Sequence, residues 1–202
     1  LLSDKREKIK PGECVVGETK LFHCFPNEVS GEPLHLNEIV EELDKYETSV
    51  KTYEEMEAFI YGMFFGDGSC GYYECSSGNK YSWGINNQNN KLLEQCKLYL
   101  EELYGENTKF KILDTMTSSG VNKLVPYGSI KYMVNLYRNL FYDKDKYKIV
   151  PNKILNGSYE VRKNFFMGYY AADGYKCRNT KTKNICFSNK GKIGSSQLYY
   201  LC

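Results

Sequence analysis

No stretch of this sequence comes near the roughly 20 apolar residues that a membrane-spanning helix needs. The two greasiest runs, 58–66 and 165–172, are less than half that length. A charged-then-apolar leader with a small-residue cleavage site is also missing, so secretion is not expected. Histidine is scarce, with only His23 and His35, and none of the eight cysteines belongs to a C-x-x-C pair. Cys70 and Cys75 have four residues between them and Cys177 and Cys186 have eight, which argues against a structural zinc site. The cysteines read instead as small buried hydrophobes of an intracellular, reducing compartment. There is little excess charge either. With 27 basic and 25 acidic side chains the net charge is +2, so a nucleic-acid partner would require lysines segregated onto one face. Lys176, Arg178, Lys181 and Lys183, clustered with no acid among them, hint at such a segregation.

What is present suits a folded chain. At 42% hydrophobic and 26% charged the composition excludes a disordered one. The length of 202 residues fits one medium domain or two small ones of roughly 100 residues each.

The segment up to about residue 48 differs from the rest. Lys8 to Gly12 approaches a turn, 14–17 and 20–22 suggest short strands, and Leu36 to Tyr46 has helical spacing. After it a pattern begins that later repeats. Thr52-Tyr53-Glu54-Glu55 is a capping box that opens a helix through Met56, Phe59, Ile60, Met63 and Phe64, ending at Asp67-Gly68. Strands are expected around 71–75 and 80–85. A helix capped within 86–90 then carries Leu92, Leu93, Cys96, Leu100 and Leu103 and stops at Gly105. Strands over 109–115 and 121–125 and a helix from Ser129 complete the copy. From Ser158 the order restarts, with a helix ending at Asp173-Gly174, polar basic strands, and a helix entered near Ser195 or Ser196. The copies align at a shift of 106 positions (67 to 173, 92 to 198, 96 to 202). Agreement at both ends marks a repeated architecture. By that shift the second copy is expected to be truncated.

Chemistry concentrates at the two Asp-Gly helix ends. A carboxylate at a helix C-terminus opposes the macrodipole, at a cost of a few tenths to ~1 kcal/mol, so a matched pair suggests a cation that offsets it. The following glycines suit a left-handed cap. Gly62 and Gly66 on one helix, and Gly168 and Ala172 on the other, form small-residue strips along which two backbones can approach. Packed in matching directions, the helices would bring Asp67 and Asp173 side by side. Two close carboxylates repel unless a divalent cation lies between them, and an oxygen-only set favours Mg²⁺. That is an arrangement for metal-assisted phosphodiester hydrolysis.

The segments Ile60 to Gly68 and Phe166 to Gly174 both resemble the LAGLIDADG nonapeptide of homing endonucleases, each with a small third residue and a small-Asp-Gly ending. The sixth position, often acidic in that family, is Phe65 in one copy and Ala171 in the other. Lys148-Ile149-Val150-Pro151, with Ile154-Leu155 and Arg162 to Phe166, resembles the segment before the second nonapeptide in intein endonucleases. The resemblance implies an α+β fold of pseudo-twofold αββαββα repeats with saddle-shaped antiparallel sheets, the second repeat incomplete. It assigns 1–48 to a remnant of an intein splicing domain, 49–150 to the first repeat and 151–202 to the second. Lys8 to Glu13 resembles the part of a splicing domain beyond its Thr-x-x-His block. With that block, a junction nucleophile and a closing His-Asn all missing, the segment is not expected to splice itself.

The implied function is site-specific, metal-dependent cleavage of double-stranded DNA by a monomer with internal pseudo-symmetry. Flanking splicing-domain halves and a host protein, expected to be a viral replicative DNA polymerase, would be its partners; no membrane is involved. Asp67, Asp173 and Lys148 would be catalytic, with Lys146 the competitor for the lysine role. Asp67 and Asp173, together with Gly66 and Ala172, would form the site for Mg²⁺ or Mn²⁺. Gly62, Gly66, Gly168 and Ala172 would line the helix interface. Lys80, Tyr81, Trp83, Lys109, Lys111 and Lys123 in the first copy, and Lys176, Arg178 and Lys183 in the second, would meet DNA. Asn86 and Ser188 would orient active-site waters. The alternatives are a module that binds DNA or RNA without cutting, or a structural remnant of an intein.

Overall fold

Thr52 opens the first long helix by accepting, at Oγ1, a 3.2 Å hydrogen bond from the amide of Glu55. Ser158 does the same for its counterpart at the amide of Val161. In the computed structural model, which describes residues 10–13, 15, 18, 32–44, 50, 52–176 and 185–202, these helices are α2 (Tyr53–Asp67) and α7 (Tyr159–Asp173). Every residue from Ala58 to Phe65 of α2 is buried, as are Asn164 to Tyr169 of α7. A helix apolar on all sides is stable only inside a core. Here each helix covers one side of the other, and the surrounding elements cover the rest.

The remaining elements, in chain order, are α1 (Leu36–Asp44), β1 (Gly68–Cys75), β2 (Gly78–Asn87), α3 (Asn90–Tyr104), β3 (Lys109–Leu113), α4 (Met116–Ser119), β4 (Asn122–Tyr127), α5 (Ile130–Phe141), α6 (Asn152–Leu155), β5 (Tyr175–Lys176), β6 (Ile185–Cys186) and α8 (Lys192–Leu201). The strands β1 to β4 form one antiparallel sheet in the order β1-β2-β4-β3, while β5 and β6 pair as a separate antiparallel ribbon. This is the expected α+β architecture. Among the described residues no helix is long and apolar enough to cross a membrane.

Alternation along the strands decides what the four-stranded sheet shows on each side. Trp83, Ile85, Phe110 and Leu124 point to the buried face. They pack with Tyr137 and Phe141 of α5 and Phe64 of α2, with ring centroids 4.6–5.6 Å apart for Phe64–Tyr137, Trp83–Tyr137, Phe64–Phe141 and Phe64–Trp83. A second cluster joins Phe166 and Tyr169 of α7 to Phe187, where Tyr169 and Phe187 stack at 4.7 Å.

The chain separates into two compact units, 1–32 and 33–202. In the first, a short 3-10 turn at Pro11–Glu13 is described, stabilised by the amide of Lys10 donating to the Glu13 carboxylate. The strands expected at 14–17 and 20–22 lie, Val15 apart, outside the described residues. The helix expected over 36–46 is α1. It belongs to the second unit, not to the opening segment, because Ile39 and Val40 are buried and Glu42 pairs with Lys163 of α7 at 2.7 Å.

Three local differences from the sequence reading have plain causes. The short helices α4 and α6 were not expected from periodicity, being a single turn each. α8 begins at Lys192, ahead of Ser195, because its first turn starts at Gly191, whose carbonyl accepts from the Ser195 amide at 2.9 Å. Neither Gly68 nor Gly174 is left-handed; both are extended, with φ of −83° and −77°. Each glycine is required by space instead. A Cβ at Gly68 would strike the ring of Phe64, and one at Gly174 the ring of Tyr170, as each helix turns straight into a strand. Gly105, after α3, is not left-handed either but lies in the right-handed region.

Candidate active site

The α2–α7 contact is made backbone to backbone. A Cβ on Gly62 would collide with the carbonyl of Phe165 and stand 2.6 Å from the amide of Tyr169. A Cβ on Gly168 would collide with the carbonyl of Phe59 and stand 2.9 Å from the amide of Met63. The two sets of contacts are related by the same shift of 106 positions (62 to 168, 59 to 165, 63 to 169), so the helix pair is a local twofold. One turn further, a Cβ on Gly66 would lie 2.5 Å from that of Ala172 and 3.3 Å from Oδ2 of Asp173. The small-residue strips therefore deliver Asp67 and Asp173 to the same end of the pair, within electrostatic reach of each other.

Burial acts on both carboxyls. It pushes Asp67 up to about 6; an Asn87 hydrogen bond resists, Asp173 adds to the rise, and Lys148 resists it. Burial also raises Asp173, against the pull of Lys148. Oδ2 of Asp67 accepts from Nδ2 of Asn87 at 2.6 Å. Asn86, expected to orient active-site waters, donates at 3.4 Å to the backbone carbonyl of Asp67. Asn87 was not expected. Its signal was faint, an asparagine pair at the strand end with no way to tell which member faces the aspartate.

Lys148 lies deep beneath this end of α2. Its ammonium donates to the carbonyls of Phe64 (2.8 Å), Phe65 (2.9 Å), Gly66 (3.2 Å) and Gly68 (2.6 Å), and sits 5.3 Å from the centre of the Phe64 ring. Four acceptors exceed its three protons, so at least one proton is shared. Here is a cation that offsets two carboxylates at helix C-termini. Burial lowers its pKa to about 8, while Asp173 and Asp67 hold it up. An adjoining cleft of about 360 Å³ is lined by Gly66, Tyr169, Asp173, Ser188, Lys190 and Lys146, among others. Ser188 accepts there through its carbonyl from the hydroxyl of Tyr169 at 3.5 Å.

The donor set fits a hard divalent cation. Among the described residues no three His, Cys, Asp or Glu side chains converge, so there is no all-protein cage. Mg²⁺ does not need one, since it keeps several waters and takes one or two carboxylates plus phosphate oxygens. Asp67 and Asp173 are two carboxylates of the kind such an ion takes. The Gly66 carbonyl, although it accepts from Lys148, keeps a second lone pair.

The sheet's open face carries the lysines. Pairing across β1–β4 places Tyr73, Lys80, Ser82, Asn86, Lys109, Lys111, Lys123 and Tyr127 on the side opposite Trp83. No Asp or Glu of these strands shares that side. Lys111 stands 5.7 Å over the ring of Tyr127, and the stem of Lys123 crosses Gly84. Two residues expected to meet DNA do not lie there. Trp83 is 2% exposed in the core, and Tyr81 faces α5, where Lys131 covers its ring at 5.8 Å. Neighbours along a strand point oppositely, so Lys80 and Tyr81 cannot serve one face. Arg178 and Lys183 lie outside the described residues, and of Lys176 only the backbone is described.

No family model matches this chain. A DNA polymerase of Acanthamoeba polyphaga mimivirus is 45% identical over 204 residues; the match takes in all of this chain and 10% of the polymerase. Mesophilic variants of the homing endonuclease I-DmoI superimpose with a TM-score of 0.52 at 18% identity, over 74% of this chain and 76% of theirs. I-DmoI in complex with DNA and Ca gives 0.53 at 18% identity, over 75% and 72%. An I-DmoI variant with its nicked target DNA in the presence of Mn gives 0.52 at 17% identity, over 75% and 77%. Two acid-ended helices in glycine contact, flanked by an antiparallel sheet, thus form the fold of the LAGLIDADG homing endonucleases.

Proposed function

We propose that this chain is the endonuclease part of an intein within a DNA polymerase, and that it cuts both strands of DNA. The reading is carried by the reciprocal glycine contacts that set Asp67 beside Asp173. The match to a tenth of a polymerase supports an inserted element; the part of the expected 1–48 remnant that forms its own unit, 1–32, would be a piece of its splicing domain. The I-DmoI structures with DNA and with Ca or Mn support a DNA substrate and divalent ions.

In this reading Asp67, Asp173 and the carbonyls of Gly66 and Ala172 hold Mg²⁺, with Mn²⁺ as a substitute. A bound divalent ion supplies charge stabilisation at the phosphate and an acidified water. The chain's own residues do the rest. Asn87 fixes the rotamer of Asp67. Lys148 anchors the end of α2. Lys80, Lys109, Lys111 and Lys123 neutralise phosphates along the duplex.

The test uses the complete intein and duplex DNA spanning an intein-free insertion site. Wild type with Mg²⁺ is expected to give a double-strand cut. Asp67→Asn and Asp173→Asn are expected to lose about a hundredfold or more in rate while still binding. Unchanged cutting by both variants would refute the site. Binding without cutting by wild type would identify a DNA-binding module instead.

A further inference from the structure

Between α5 and α6 the chain doubles back over residues 141–149. Tyr142 and Lys148 form a bridge, the amide of Ile149 donates to the carbonyl of Phe141 at 2.8 Å, and that of Asp143 to Tyr147 at 3.0 Å. The carboxylate of Asp143 closes the loop by accepting from the amides of Asp145 and Tyr147, both at 2.9 Å. This geometry leaves Lys146 with φ of 66°, the sole positive value among the described non-glycine residues. Tight three-residue hairpin loops commonly end on such a left-handed position, and glycine is the usual occupant. A lysine there is a costly choice that a purely structural turn does not require.

The strained residue also faces something. Lys146 is exposed and lines the cleft that contains Asp173, together with Ser188 and Lys190. Among the described residues it has no carboxylate in ion-pair distance. Lys148, two residues on, is the opposite case, since its protons are engaged by four carbonyls of the α2 end. A phosphate arriving at Asp173 therefore meets one lysine that is committed and one that is not.

We propose that Lys146 binds a DNA phosphate on the Asp173 side of the site, beside Lys148, whose ammonium also holds the end of α2. The turn holds Lys146 in its left-handed conformation at the edge of the cleft, from which its ammonium would meet the phosphate. Lys190 lines the same cleft and would share the same charge. The inference rests on the endonuclease reading above and assigns the phosphate contact within it.

The experiment compares wild type, Lys146→Gln and Lys146→Gly in the complete intein, reading duplex DNA affinity against salt, cleavage rate and Tm. Both variants are expected to flatten the slope of log K against log salt by about 0.9, the loss of one phosphate contact. Both should cut about tenfold more slowly. Lys146→Gly alone is expected to raise Tm by about 1–4 °C, because glycine adopts this φ without strain. A slope unchanged from wild type in both variants overturns the proposal while leaving the endonuclease reading in place. Wild type without affinity for duplex DNA removes both.

Discussion

The amide of Asn87 donates a 2.6 Å hydrogen bond to Oδ2 of Asp67, at the point where β2 passes the end of α2. That contact resists a larger effect, the burial that pushes the Asp67 carboxyl from its ordinary 3.8 to about 6. Between about pH 4 and pH 6 the folded protein keeps a proton that the unfolded chain has released, so this group's stabilising contribution is full at the acid end and lost as pH rises to about 6. In metal-free buffer, the stability of wild type relative to Asp67→Asn should therefore fall across that window and level off above it. Asn87→Leu should extend the window upward. Urea denaturation at several pH values measures both; a pH-independent difference would mean the carboxyl is not enclosed.

Gly62→Ala and Gly168→Ala should each destabilise by about 1–3 kcal/mol or more, since a methyl has no room between the two backbones. Gly71→Ala is the control. Its Cβ would meet nothing closer than the Tyr73 hydroxyl at 3.7 Å, so a change within about 0.5 kcal/mol is expected. Equal tolerance at all three positions, in chemical denaturation, would contradict the close helix contact.

Lys148→Met should cost about 1–3 kcal/mol, because it strips the cation from buried carbonyls at the end of α2. Cleavage should fall along with stability, as Asp67 stands on the turn that loosens. Unchanged thermal and chemical stability would show that the lysine is not a tether.

On the sheet, alanine at Lys80, Lys109 or Lys111 should weaken DNA binding and reduce its salt dependence, with little effect on folding. Trp83→Ala should do the reverse, losing about 3–5 kcal/mol of stability through a cavity in the core. Titrations at two salt concentrations beside denaturation curves separate the outcomes. A stable Trp83→Ala that fails to bind would return Trp83 to the DNA face.

Much of this architecture was legible before any coordinates. The capping residues Thr52 and Ser158, the apolar faces of α2 and α7, and the small-residue strips at Gly62–Gly66 and Gly168–Ala172 are all local patterns. Local patterns suffice because helix periodicity and caps act over three or four residues. The strand faces could have been read too, although the resemblance placed Tyr81 and Trp83 with Lys80 at the DNA. In Lys80-Tyr81-Ser82-Trp83-Gly84-Ile85 the odd positions are apolar, and that alternation alone places Trp83 with the core. The glycines after each aspartate were readable as necessary, but not for the right reason. The steric demand comes from Phe64 and Tyr170, not from a left-handed cap.

By itself, then, the sequence determined that two acid-ended helices exist, that they can touch along glycine, and that the molecule repeats. Only the tertiary structure decided that Lys148 caps the end of α2, that Asn87 holds the Asp67 carboxylate, and that Lys146 lines the neighbouring cleft with no ion pair among the described residues. These contacts join positions as much as 84 residues apart. Their geometry follows from how the whole core packs, and so does the burial that sets the charge of Asp67, which no local pattern encodes.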